Sequence, residues 1–132
     1  QAAFLKTKLK FLDRDNKKRA IIANIYEKGF SSISKISLPK VLEKRKHVWH
    51  LYVIRVKDRI NLQKKIKRIA QTLIHYPLPP HLQECYASLN FKKGSFPISE
   101  NIHKTIISLP ISPVMEKKEA IKIVNKIRSI LK

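Results

Sequence analysis

The sequence predicts an α/β (α+β) fold: a short sheet of about three strands covered by helices, behind one long N-terminal helix. Three observations predict it. Leu5, Leu9, Leu12, Asn16, Arg19, Ala20, Ala23 and Tyr26 recur at three- and four-residue steps, the period of one helix face. Residues 47–56, His-Val-Trp-His-Leu-Tyr-Val-Ile-Arg-Val, are β-branched and aromatic, a composition suited to a pleated, half-buried surface. Ala120, Ile123, Val124, Ile127, Ile130 and Leu131 make the apolar stripe of a closing amphipathic helix.

The first pattern spans residues 2–26, a helix of about 25 residues and ~37 Å at the usual rise. A helix of that length packs along something larger or links two domains. The chain accordingly divides into an interdomain-type helix, 1–29, and a small α/β unit, 30–132, with Gly29 as the helix stop. Residues 30–34 suggest a loop or short strand, and Leu38-Pro39 breaks any regular element over the next few residues. In the strand over 47–56, Val48, His50, Tyr52, Ile54 and Val56 share one face and Trp49, Leu51, Val53 and Arg55 the other. Both faces are largely apolar, which predicts a central strand covered on both sides. His47 and His50 fall on opposite faces, which disfavours a shared metal. A helix over 58–69 and a strand over 72–74 complete a β-α-β crossover. A short helix over 81–89, a turn at Lys92-Lys93-Gly94 and a helix capped by Ser99 come next. A third strand over 107–110 precedes the last helix, begun by Ser112-Pro113.

The chain has 132 residues, 43% of them hydrophobic, enough for one compact domain with a core. No apolar run approaches the ~18 residues that span a bilayer. The N-terminus lacks both an initiator Met and the basic-then-apolar order of a secretory signal, so a fragment or processed form is expected. Cys85 is the single cysteine, which rules out an intrachain disulfide and a cysteine-rich zinc site and favours the cytoplasm. Twenty-nine basic side chains against nine acidic ones give a net charge of +20. The lysines are dispersed, and the two glycines, Gly29 and Gly94, exclude a Gly-rich phosphate loop. Solvated lysine faces with weak, salt-sensitive binding to polyanions are expected.

The most distinctive stretch is residues 72–86, Thr-Leu-Ile-His-Tyr-Pro-Leu-Pro-Pro-His-Leu-Gln-Glu-Cys-Tyr. Pro77, Pro79 and Pro80 each lack an N–H and fix φ, which excludes helix and sheet interiors. Turn chemistry alone accounts for them; the alternative is a stiffened chain that positions His75, Tyr76 and His81. The string His-Tyr-Pro-x-Pro-Pro-His-Leu-Gln resembles the form found in the DegT/DnrJ/StrS family of pyridoxal-phosphate-dependent sugar aminotransferases, in its 3-aminotransferases of dTDP-linked 3-keto-6-deoxyhexoses. The resemblance extends to Gln1–Leu5, Lys8-Leu9, Leu12-Asp13, Asn16, Arg19, Ala23 and Tyr26, to residues 47–55, to Phe96-Pro97-Ile98-Ser99-Glu100 and to Ser108-Leu109-Pro110-Ile111.

The resemblance implies the small C-terminal domain of a fold-type I aminotransferase, with His75, Tyr76 and His81 as contacts to a dTDP-sugar. In the family, pyridoxal phosphate and its Schiff-base lysine sit on a large N-terminal domain. No lysine here stands in a recognisable equivalent, so the resemblance implies no catalytic, cofactor-binding or metal-binding residue in this chain, and no transamination by it alone. The partner implied is that large domain, or a second copy held through the apolar face that its absence exposes. Two departures from the family pattern stand out: Ile69 where a glycine commonly precedes the second strand, and the strongly basic balance. They leave room for an alternative, a basic binding module or a non-functional remnant that has lost the parent chemistry.

Overall fold

The computed structural model describes residues 1–131. Its elements run α1 (Ala2–Leu9), α2 (Leu12–Phe30), β1 (Ile36–Ser37), β2 (Tyr52–Val56), α3 (Arg59–Ile66), two 3-10 turns (Pro80–Leu82 and Glu84–Leu89), α4 (Pro97–Thr105), β3 (Ile106–Leu109) and α5 (Lys117–Leu131). The three strands form one antiparallel sheet in the order β1-β2-β3. This is the mixed α/β class that the sequence predicts.

Register divides the sheet into two faces. Ile36 pairs with Val56, Ile54 with Ile107 and Tyr52 with Leu109, so these six side chains share one face. They join Ile22, Ala23, Tyr26 and Phe30 of α2, Leu62 and Ile66 of α3, and Ala120, Ile123, Val124 and Ile127 of α5 in a single core. The opposite face carries Val53 and Arg55, both half-buried, opposite Ser108 and Ile106. Arg55 Nε donates there to Thr105 Oγ1 on α4 at 3.0 Å.

Several boundaries differ from the sequence reading. The single N-terminal helix is two. The Phe11 N–H turns back to the Lys8 carbonyl at 3.0 Å, and Asp13 and Asp15 lie in the first turn of α2, where carboxylates favour a new N-terminus. Gly29 is no helix stop: α2 continues to Phe30, and a Cβ on Gly29 would come within 2.4 Å of Val124. The glycine sits where α2 packs against Val124 of α5.

The strand over 47–56 shortens to Tyr52–Val56. Trp49 takes φ +53° and gives its N–H to His47 Nδ1 at 2.9 Å, which removes that amide from any ladder. Only Tyr52, Ile54 and Val56 of the expected face are buried. Residues 72–74 contribute a single bridge, Leu73 with Ser108. Leu73 runs antiparallel to β3 and so parallel to β2, with β3 between them; the crossover is split. The third strand of the sheet is instead β1, within a stretch that has no readable period.

Helix ends also move. The helix expected over 81–89 is a pair of 3-10 turns, stopped by Asn90 at φ +56°. α4 starts at Pro97 rather than after Ser99, because Pro is preorganised for the first helical position. α5 starts at Lys117, where Glu119 Oε2 takes the Glu116 N–H at 2.8 Å, the reach-back half of a capping box; Ser112 only closes a preceding turn. Asp58 caps α3 by accepting the Asn61 N–H at 3.2 Å. Asp58→Ala is expected to cost ~1 kcal/mol, read as a lower urea midpoint with unchanged slope.

Among the described residues no helix is long and apolar enough to cross a membrane. α1 buries none of its residues, and Phe4, Leu5 and Leu9 are 64–79% exposed.

Candidate functional site

The Leu73–Ser108 bridge delivers the chain to the half-covered face of the sheet. The pairing with Ser108 sets Leu73 on that face, and the His75 ring reaches it through Ser108. Its Nδ1 is 2.9 Å from Ser108 Oγ. The next residue, Tyr76, follows a cis peptide and stands edge-on to the His75 ring, 5.7 Å between centroids. Its side chain is 65% exposed, while its carbonyl accepts a hydrogen bond from His103 Nδ1 at 2.7 Å. Arg59 secures the far end of α4 by donating to the carbonyls of His103 and Ile106. Gln63 holds the Thr72 carbonyl at 2.9 Å, which ties the start of the stretch to α3.

His81 is placed differently. Its side chain is 8% exposed, with Nε2 3.1 Å from Glu100 Oε1, and its ring meets Phe96 edge-on at 4.8 Å. Phe96 in turn meets Phe91 at 4.9 Å. The same Glu100 oxygen accepts the Gly94 N–H at 2.7 Å and the Phe96 N–H at 3.4 Å. Partial burial pushes the Glu100 carboxyl up, but the Gly94 N–H, His81 and the Phe96 N–H outweigh it and hold the group below its ordinary value. A carboxyl lowered in the folded state stabilises it above the ordinary 4.5, and that contribution fades as pH falls through the lowered value. Amide exchange protection at Gly94 and Phe96 is therefore expected to hold at neutral pH and to fall selectively in acid. Glu100→Gln should abolish that acid step; a step that survived the substitution would assign it elsewhere.

The stretch thus divides into an open corner, His75 with Tyr76, and a covered clasp built on His81. Three partners were not singled out from the sequence as site residues: Ser108, His103 and Glu100. His103 carries no local signal, since it meets Tyr76 only because α4 folds back. Ser108 and Glu100 lie within segments that carried the family resemblance.

The helix-covered antiparallel sheet matches a piece of the aminotransferase fold. The chain superposes on Streptomyces venezuelae DesV in complex with a ketimine intermediate with a TM-score of 0.96 and 34% identity, covering 100% of this chain and 36% of that one. The DegT/DnrJ/EryC1/StrS aminotransferase family matches residues 1–128, and the chain belongs to it. It is 46% identical over 128 residues to a dTDP-3-amino-3,6-dideoxy-alpha-D-galactopyranose transaminase of Aneurinibacillus thermoaerophilus, covering 96% of this chain and 34% of that protein. It is 35% identical over 129 residues to a dTDP-3-amino-3,4,6-trideoxy-alpha-D-glucose transaminase of Streptomyces venezuelae, covering 97% and 34%. The chain therefore spans about a third of the length of the relatives it matches.

The family depends on pyridoxal phosphate, which needs a lysine amine held against its aldehyde and a cradle for its phosphate. Among the described residues every lysine is exposed except Lys126, half-buried on α5. Gly94, at φ +96°, faces open space rather than a phosphate-sized concavity.

Proposed function

We propose that this chain forms the small C-terminal domain of a pyridoxal-phosphate-dependent aminotransferase that delivers an amino group to a dTDP-linked 3-keto-6-deoxyhexose in the cytoplasm. Residues 1–29 would form its junction with a cofactor-bearing domain, and 30–132 the lid side of the active site. The open corner at Tyr76 carries the reading. An exposed phenol beside an imidazole, the first held through its backbone carbonyl by His103 and the second through Nδ1 by Ser108, supplies donors and a stacking face for a hydroxylated sugar diphosphate. In this reading His75 and Tyr76 touch the sugar nucleotide. His81 shapes the same wall by holding the loop through Glu100, and any contact of its own is through the ring edge.

The chain alone is expected to bind the sugar nucleotide weakly and not to transaminate. Titration of the labelled chain with dTDP-glucose should move the His75 and Tyr76 resonances, and Tyr76→Ala should abolish the shift. Shifts spread instead over the lysine faces, vanishing with added salt, would favour the second reading, a basic polyanion-binding module, which the charge of +20 supports. Amino transfer by the isolated chain with pyridoxal phosphate and an amino donor would sink the assignment of catalysis to a separate domain.

The apolar face of α1 is, in the same reading, a surface that a larger assembly covers, as exposed contiguous apolar patches commonly are. In isolation the chain is expected to self-associate through it. Sedimentation should show a concentration-dependent dimer or larger species that Phe4→Ser with Leu5→Ser and Leu9→Ser returns to monomer. A strictly monomeric parent chain would count against that role.

A further inference from the structure

We propose that Ser108 is a positioning residue that locks His75 in its Nε2–H tautomer, so that the ring turns a hydrogen-bond donor outward beside Tyr76. The proposal deepens the reading of that corner as a sugar-nucleotide wall, and its ligand-binding consequence rests on it.

Ser108 is 4% exposed. Its backbone is already committed: the N–H donates to the Leu73 carbonyl at 2.8 Å, and the carbonyl accepts the Leu73 N–H at 3.3 Å. Among the described residues its hydroxyl has one polar partner, His75 Nδ1 at 2.9 Å. A hydroxyl brings one proton and two lone pairs, and a neutral imidazole brings one N–H and one lone pair. If Nδ1 carried the proton, it would donate to Ser108 Oγ, and the serine proton would be left buried without an acceptor, a costly arrangement. With Nδ1 bare, the hydroxyl donates to it and one bond satisfies both groups. The ring proton then sits on Nε2. That nitrogen has no protein partner among the described residues and is not one of the buried, unpartnered polar atoms; it reaches solvent.

His103 supplies the contrast. Its Nδ1 lies 2.7 Å from the Tyr76 carbonyl oxygen, which can only accept. Nδ1 must therefore carry the proton, and in the neutral ring Nε2 is the lone-pair atom. The two imidazoles tied to the Tyr76 corner have opposite polarity, one turning out a donor and the other an acceptor. A ligand at His75 is met through an acceptor oxygen, of its diphosphate or of its sugar.

Long-range nitrogen–proton NMR on the full chain with labelled histidine tests the lock, at a pH above the ~6.5 of an ordinary imidazole. His75 should show a pyrrole-like Nε2 and a pyridine-like Nδ1, and His103 the reverse pattern in the same spectrum. Ser108→Ala should collapse the single-tautomer pattern of His75 while leaving His103 unchanged; Ser108→Thr, which keeps the hydroxyl, should restore it. A pyridine-like Nε2 on wild-type His75 overturns the proposal, as does a folded Ser108→Ala chain that keeps the original pattern. If Ser108→Ala does not fold, the wild-type and Ser108→Thr spectra decide. Titration with dTDP and with dTDP-glucose separates the two acceptor sources: a His75 shift with dTDP assigns the diphosphate, and one with dTDP-glucose alone assigns the sugar. If neither ligand moves His75 while the tautomers stand as stated, the substrate-wall reading fails and the lock holds.

Discussion

Truncating Tyr26 to alanine is expected to remove about 3–5 kcal/mol of stability, in the range for a fully buried aromatic. Tyr26 is 0% exposed. Its ring stacks on Phe30 at 5.9 Å and meets Tyr52 at 5.0 Å, so the cavity would open where α2 lies on the sheet. Domains of this size are stable by only about 5–15 kcal/mol, and the urea midpoint should fall by about 2 M for an ordinary slope. Tyr26→Phe isolates the hydroxyl, which donates to the Pro110 carbonyl at 2.7 Å; its loss should cost ~1 kcal/mol. A Tyr26→Phe chain as unstable as Tyr26→Ala would assign the effect to the polar link rather than to packing.

The same phenol makes the fold sensitive to base. Burial first, then the neighbouring Tyr52 and Glu119, push the Tyr26 ionisation above its ordinary 10.0, and burial and Glu27 do the same for Tyr52. A group raised in the folded state contributes fully below its unfolded value and loses that contribution as pH rises through the folded one. Stability should therefore hold to about the ordinary 10.0 and fall beyond it, less steeply in Tyr26→Phe.

Gly29→Ala is expected to destabilise the chain by up to about 2 kcal/mol, against the direction of helix propensity. In an open helix the change would gain about 1 kcal/mol. Here the new Cβ would lie 2.4 and 2.8 Å from the Val124 methyls and 3.2 Å from the Val124 Cβ. Rotating the valine moves the methyls but leaves the Cβ contact, and a β-branched residue in a helix has one strongly preferred rotamer. Separating α2 from α5 to make room costs about 1–3 kcal/mol. In a Val124→Ala background the two methyl clashes are gone and only the 3.2 Å Cβ contact remains, so Gly29→Ala should be clearly less destabilising there than in the parent chain. The coupling in that double-mutant cycle is the readout; a stabilising single Gly29→Ala would mean that α2 and α5 part freely.

α2 and α5 overlap the spans that periodicity marked, because each buries a stripe that repeats every turn, although the first expected helix is broken and the last begins later. Ala120, Ile123, Val124 and Ile127 are buried as predicted. The break at Lys10-Phe11 was legible too, in Asp13 and Asp15, but the run of leucines on either side masked it. Strand Ile36–Ser37 was not legible: two residues carry no period, and its pairing with Val56 and Arg55 is made by partners distant in sequence. The turn into Tyr52 was hidden for the opposite reason. Residues 47–51 have strand composition, yet a local bond from Trp49 to His47 decides the backbone there.

The candidate site divides along the same line. His75, Tyr76 and His81 stand in a proline-stiffened stretch that turn chemistry alone accounts for, and the family resemblance is what singles them out. By itself the sequence determined the fold class, the family and the stiffness of that stretch. Only the tertiary structure decided that His75 and Tyr76 face outward while His81 is held by Glu100. Ser108 arrives from β3, His103 and Glu100 from α4, and a hydrogen bond between residues 19 to 33 positions apart leaves no mark on the spacing of either partner.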